Sequence, residues 1–170
     1  MPTSSYLTLF ILRHAKASDH ANTDFDRPLT KKGQQQAIEK GTLLKNKTPL
    51  IDTILCSAAK RTAETLSYLD ITIDKSQIIT DNNLYLCDPE ILLACTQQIT
   101  HGKSALIIGH NPGLHQFAYD LLSINPLHQS VLQDSLSRSL PKCALVEIHF
   151  YCENWSEINW HQGLLSSYHP

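Results

Sequence analysis

The order of apolar and polar segments along this chain predicts an α/β protein, and three observations carry that reading. Strand-length apolar runs alternate with segments of helical periodicity. The run Ala105 to Ile108 is continuously apolar, as in a central strand buried on both faces of a parallel sheet. Three polar residues sit beyond strand ends: His14 follows a strand, Arg61 lies in the first turn of a helix that follows one, and His110 stands between a strand and a helix.

The first strand covers Leu7 to Leu12 and is followed by the polar loop "DHANTDFDRP". A helix starts near Thr30, a good N-cap residue, with Ala37, Gly41 and Leu44 on one face and Ile38 beside them. The second strand, "DTILCS", leads into a helix whose Ala59, Ala63, Leu66 and Leu69 form an apolar stripe. "SQIIT" is a short third strand, and Asp88-Pro89 opens a helix through "PEILLACTQQI". After the Ala105 to Ile108 strand, Asn111 as N-cap and Pro112 as first helical residue predict a helix immediately beyond His110. Ser123 to Pro141 lacks periodicity and is expected to be a long loop. "CALVEIHFY" and "SEINWH" are read as two strands, a hairpin around Cys152 to Trp155.

With 170 residues, 42% of them hydrophobic, and no linker, repeat or low-complexity tract, the expectation is one domain over residues 1–170. A net charge of -2 argues against a nucleic-acid binder. The apolar runs are too short for a membrane span, and "MPTSSYLTLFIL" lacks the basic start of a secretory leader, so a cytoplasmic protein is expected. Five cysteines without a CxxC pair suit reduced thiols. Nine histidines raise the question of metal, yet no HxxxH or HExxH occurs and His110 and His115 are badly spaced for one helix face. No cofactor and no metal are expected.

In open α/β sheets, ligands bind beyond the carboxyl ends of the strands, where helix N-termini favour anions. His14, Arg61 and His110 all fall at such ends, and Arg13 precedes His14. Two arginines and two histidines suit a phosphoryl group. The guanidinium fork matches phosphate oxygens and stays charged, while a neutral imidazole is a competent phosphoryl acceptor. Flanking arginines keep that imidazole neutral by like-charge repulsion. Taken singly, each residue has an ordinary structural reading: a surface arginine, a turn histidine, a polar strand end.

As an ordered set, "LRHAK", "DRPLTKKGQQQA", "CSAAKRTAET" and "LIIGHNPGL" resemble the successive signatures of the histidine phosphatase superfamily, which includes the cofactor-dependent phosphoglycerate mutases. RHA in place of RHG, the DRPLT box and the compact length resemble its SixA-type phosphohistidine phosphatases, over nearly the whole chain from Leu9 to Pro170. The resemblance implies a three-layer α/β/α sandwich with a mostly parallel central sheet, the phosphoglycerate mutase-like fold. It implies His14 as a nucleophile that becomes phosphorylated, Arg13 and Arg61 as phosphoryl clamps, and His110 as stabiliser of the transferring group. Thr30 and Gly33 match a helix-start signature, read as a cap and a close-packing position. Asn111, Pro112 and Gly113 match the turn after the second histidine, and Ser57 a structural serine.

The chain departs from that family at one chemical point. Many members carry a glutamate as general acid just before the "L-Y" segment, and here Asn82 and Asn83 stand there, with Asp81 and Asp88 displaced. Asp24 or Asp26 of the loop could supply a proton instead. Imidazole is a far better leaving group than an alkoxide and needs little acid help, so the departure favours phosphohistidine over a sugar phosphate. Lys142 replaces a small hydroxyl residue, a difference without an interpretation from sequence. The resemblance thus implies a phosphohistidine phosphatase acting on a histidine phosphotransfer domain of a signalling protein. The alternatives are a phosphomonoesterase of small esters and a non-catalytic phosphate-binding regulatory module. Compact length further predicts an open pocket with little sequence for a lid.

Overall fold

The computed structural model describes residues 6–47 and 50–170. The first residues of the "MPTSS" start, read above as no leader, lie outside that range. Six strands form one sheet: β1 (Leu7–Arg13), β2 (Thr53–Ser57), β3 (Ile78–Asp81), β4 (Ser104–Gly109), β5 (Leu145–Phe150) and β6 (Leu164–His169). Their order is β3-β2-β4-β1-β5-β6. The first four in that order pair in parallel, and β5 and β6 are antiparallel additions at one edge.

Strand parity makes the layers. Leu7, Leu9 and Ile11 of β1, with Ala105 and Ile107 of β4, point to one face and pack with Leu92, Leu114, Phe117 and Leu136. Phe10 and Leu12, with Leu106 and Ile108, point to the other and pack with Ala37, Leu44 and Leu69. Helices α1 (Lys31–Lys45) and α2 (Lys60–Leu69) therefore cover one face. Helices α3 (Pro89–Gln97), α4 (Gly113–Asp120) and α5 (Val131–Arg138) cover the other. The result is the expected α/β/α sandwich. No helix among the described residues is long and apolar enough to cross a membrane.

Thr30 caps α1 by accepting from the Gly33 N–H at 3.1 Å, and a Cβ at Gly33 would lie 2.1 Å from the Lys16 carbonyl oxygen. Both signature readings hold, and the Lys16 carbonyl is also the acceptor for the Thr30 hydroxyl. The cap thus fastens α1 to the chain just after His14.

Five local expectations are corrected. Ile38 is exposed. On α2 the buried face is Arg61, Thr62, Thr65 and Leu69, while Ala63 is exposed and Leu66 half-buried. The threonine hydroxyls satisfy themselves on backbone carbonyls, Thr62 on Ser57 and Thr65 on Arg61, which permits their burial. Beyond His110, Asn111 is not the cap: α4 starts at Gly113 with Pro112 before it, and the Asn111 amide donates to the Leu140 carbonyl instead. The Ser123 to Pro141 stretch contains α5, capped by Ser130. Its buried residues are only Gln133 and Leu136, too few apolar positions to give a period. Finally, "SEINWH" is no strand. The Trp155 indole is buried and donates to the Gly102 carbonyl, curling Trp155–Glu157 into a turn, and β6 forms later in the chain.

Candidate active site

Three neighbouring strand ends assemble the site. In the order β2, β4, β1, the residues at or just past the carboxyl ends are Ser57, His110 and His14. Arg13 pairs in register with Gly109, and the His14 N–H continues the ladder to the Gly109 carbonyl at 3.1 Å. The His14 and His110 rings consequently stand 5.2 Å apart, centroid to centroid. Arg61 enters from the first turn of α2 and is buried, as are both histidines. The structure thus brings together all four residues singled out from sequence.

His14 has a fixed tautomer. Its Nδ1 lies 2.8 Å from the Ala15 carbonyl oxygen, which can only accept, so Nδ1 carries the proton and Nε2 presents a lone pair. Burial, then the charges of Arg61, Arg13 and Lys142, pull its pKa down to about 4, against a partial rise from the bond to Ala15. His110 falls to about 3, chiefly by burial and then by Arg61 and His14. Both rings are neutral at physiological pH. The His110 Nε2 sits 2.8 Å from the Ser57 hydroxyl. The hydroxyl can donate or accept, so this contact orients the ring without fixing its proton, and His110 Nδ1 is buried without a partner. Ser57 is more than structural: it sets the orientation of the second histidine.

Arg13 donates from Nη1 to the Leu140 carbonyl at 2.9 Å, and its Nε is buried without an acceptor. Lys142 lies on a tight turn from Pro141 to Ala144, in which Cys143 adopts a positive φ of 64°. The Cys143 N–H reaches the Arg13 and His14 carbonyls, so this turn clasps the end of β1.

Sequence reasoning named Asp24 only as a spare acid. It proves to be the partner of Arg61, accepting on its backbone oxygen at 2.6 Å and on Oδ2 at 3.0 Å. Tyr85 donates to the same Oδ2, and Arg27 to Oδ1 at 3.0 Å. Those bonds, Tyr85's first, hold the Asp24 carboxyl well below the usual carboxylate range. Tyr85 was missed altogether; its ring stands edge-on to His110 at 5.4 Å and under Arg61 at 5.6 Å. An aromatic with a hydroxyl just past a strand's carboxyl end was the available signal. Of the other acid candidates, Asp26 bonds to Thr23, Asp81 caps the Asn82–Leu84 turn, and Asn82 and Asn83 are exposed. Asp88 precedes α3 without a side-chain cap bond. His14 is 7% exposed and Arg61 3%, and the β1–α1 loop is tied to Arg61 through the Asp24 carbonyl. Among the described residues, no three His, Cys, Asp or Glu side chains converge as a metal-holding set.

A neutral imidazole with a free Nε2, two guanidinium groups and a second neutral histidine make a site for receiving a phosphoryl group. The family model described as histidine phosphatase superfamily (branch 1) matches residues 9–86, a span with Arg13, His14 and Arg61. An uncharacterized protein of Mycobacterium leprae is 32% identical over 120 residues, 65% of this chain and 70% of that protein. Among solved structures, the chain is similar to one from Nakamurella multipartitia provisionally named phosphohistidine phosphatase SixA. That likeness has a TM-score of 0.86 and 26% identity, covering 97% of this chain and 96% of the other. A protein histidine phosphatase SixA complexed with tungstate shares the fold at TM-score 0.73 and 22% identity, over 95% and 96% of the two chains. This chain belongs to the histidine phosphatase superfamily.

Proposed function

We propose that this chain is a phosphohistidine phosphatase that works through a phosphorylated His14. The observation that carries the reading is the Nδ1–H bond from His14 to the Ala15 carbonyl, which leaves Nε2 free on a ring kept neutral by burial. Nε2 attacks phosphorus, and the bond to the leaving group breaks as the N–P bond forms. Arg13, Arg61 and His110 bind the phosphoryl oxygens, each such donor lowering the barrier by about 3 kcal/mol. Water then displaces phosphate from His14, and the chemistry needs no metal because guanidinium groups carry the charge.

The substrate reading rests on the acid that is lacking. Asn82 and Asn83 replace a carboxylic acid, and Asp24 is ionised by its three donors. A leaving group that departs without a donated proton suits that site, and the imidazole of a phosphohistidine on a phosphotransfer protein is one. The burial of His14 favours a second reading, hydrolysis of a small ester with a good leaving group.

The test is to follow dephosphorylation of a histidine-phosphorylated phosphotransfer domain beside a panel of small esters, with His14→Ala as blank. The proposal expects preference for the protein, loss of activity by more than about 10³-fold in the variant, and an acid-labile phosphoenzyme that only the unsubstituted chain forms. Preference for one ester moves the assignment to the second reading. Activity surviving in His14→Ala removes the nucleophile.

A further inference from the structure

The buried end of the crevice holds the phosphoryl-binding groups, so whatever the phosphoryl is attached to must lie toward solvent. On that side the β1–α1 loop and the segment after β3 contribute a carboxylate and two aromatic rings. Asp24 has its side chain about half exposed. Phe25 and Tyr85 are half-buried and pack edge to face, 5.0 Å between centroids. Tyr85 also donates its hydroxyl to Asp24. A carboxylate beside aromatic faces is a surface for a flat cation.

The charge balance points the same way. When a phosphoryl dianion takes up Arg13 and Arg61, Arg27 is the cation left bonded to Asp24, with His14 and His110 neutral. Arg27 pairs with both carboxylates, Asp19 at 2.7 Å and Asp24 at 3.0 Å. Asp24 therefore keeps its negative charge beside a cation that it shares with a second carboxylate. Lys142 is exposed on the turn against β1, and its charge acts on His14 rather than on Asp24. A neutral leaving group gives that charge no partner; a protonated imidazole does.

We propose that Asp24, flanked by Phe25 and Tyr85, is a specificity-determining residue that selects a planar cationic leaving group, the protonated imidazole of an N-phosphorylated histidine, without transferring a proton itself. The proposal rests on the phosphohistidine reading above. The step balances without an acid: His14 Nε2 forms the new N–P bond, and the old P–N bond returns its electron pair to the departing nitrogen. The ring leaves neutral because its other nitrogen already holds the proton. Asp24 remains ionised throughout.

The experiment measures kcat/KM on N-phosphoimidazole and on p-nitrophenyl phosphate, for the unsubstituted chain, Asp24→Asn and Asp24→Glu, between pH 5.5 and 8.5. Any loosening of Arg61 lowers both substrates and cancels in their ratio. The expected result is a five- to tenfold fall in the phosphoimidazole-to-ester ratio in Asp24→Asn, the scale of one partly exposed ion pair, with partial recovery in Asp24→Glu. In the unsubstituted chain the ratio should also fall as rising pH deprotonates the substrate's ring, a measurement that needs no variant. A ratio unmoved in Asp24→Asn overturns the assignment while the phosphohistidine reading stands. A larger loss on the ester marks Asp24 as a proton donor and overturns it too. If the unsubstituted chain does not turn over phosphoimidazole at all, the underlying reading falls with it.

Discussion

Two buried polar regions of this molecule are built on opposite rules. Between β1 and β6, Glu147 on β5 is almost fully buried and has all its capacity used. It accepts from Lys47 at 2.6 Å, Ser167 at 2.9 Å, His149 at 2.9 Å and Ser166 at 3.3 Å. Burial would raise its pKa, but the bonds from His149, Lys47 and Ser167 win and hold it at about 2. At the strand ends, Arg13 Nε, His110 Nδ1 and Asn111 Oδ1 are buried with no partner. Elsewhere among the described residues only Thr8 Oγ1 and His169 Nε2 are in that condition. A buried polar atom without a partner costs roughly 1–3 kcal/mol. A closed network is what stability favours, whereas Arg13 Nε, an open donor at the crevice, is what a bound oxyanion would close; the Asn111 oxygen can only accept and needs a donor instead.

The sharpest way to break this contrast is Arg13→Lys. The charge stays and the fork is lost, so kcat/KM on any phosphorylated substrate should fall about 10²- to 10³-fold. Circular dichroism melting should show little change. A variant that keeps its activity would mean that the unpartnered Nε is idle.

Glu147→Gln should give the opposite signature. Gln keeps one acceptor oxygen but replaces the other with an NH2 group, so Lys47 or His149 loses its acceptor and both lose the charge, and Lys47 is only partly exposed. The loss should be about 2 kcal/mol in urea unfolding, below the usual cost of splitting a buried pair because Lys47 can reach water. Its kcat/KM should match the unsubstituted chain; a kinetic defect of tenfold would show that the two regions are coupled.

The smallest effect per residue, and the one that separates the regions most cleanly, is in pH. His14 and His110 are depressed from 6.5 to about 4 and about 3, so between those values and 6.5 the unfolded chain binds more protons than the folded one. Their contribution to stability is complete above pH 6.5 and is lost as pH falls toward 4 and 3. Glu147, depressed from 4.5 to about 2, contributes fully above 4.5 and loses it only as pH falls from there. Unfolding free energy should therefore decline between pH 6.5 and 5, by about 1.5 kcal/mol for each histidine, with a smaller decline in His14→Ala. Glu147→Gln should keep that upper limb and flatten only the region below 4.5.

The sequence was most legible where one short stretch determines its own geometry. An apolar strand ending in Arg13-His14 and another ending at His110 put both imidazoles at strand ends, and parallel pairing of β1 with β4 does the rest. The Thr30 reading held for the same reason, since the N–H it caps is only three positions on. What was not legible depends on contacts between distant segments. Nothing in "DHANTDFDRP" says that Asp24 will meet Arg61, 37 positions on, or Tyr85, 61 positions on. The misread hairpin has the same origin, since Trp155 leaves the sheet plane to reach Gly102, 53 positions earlier. Helix α5 was hidden because a short helix with a single buried leucine leaves no measurable period.

One carbonyl described above has a wider effect. Leu140 O accepts from Arg13, on the end of β1, and from Asn111, beyond the end of β4. It belongs to neither strand, but to the segment that runs from α5 back into β5. Because both side chains are referenced to the same oxygen, a displacement of that segment shifts them together and largely leaves their spacing alone. The crevice is in this respect protected from the vibration of its own surroundings, as two instruments bolted to one plate keep their alignment while the plate moves.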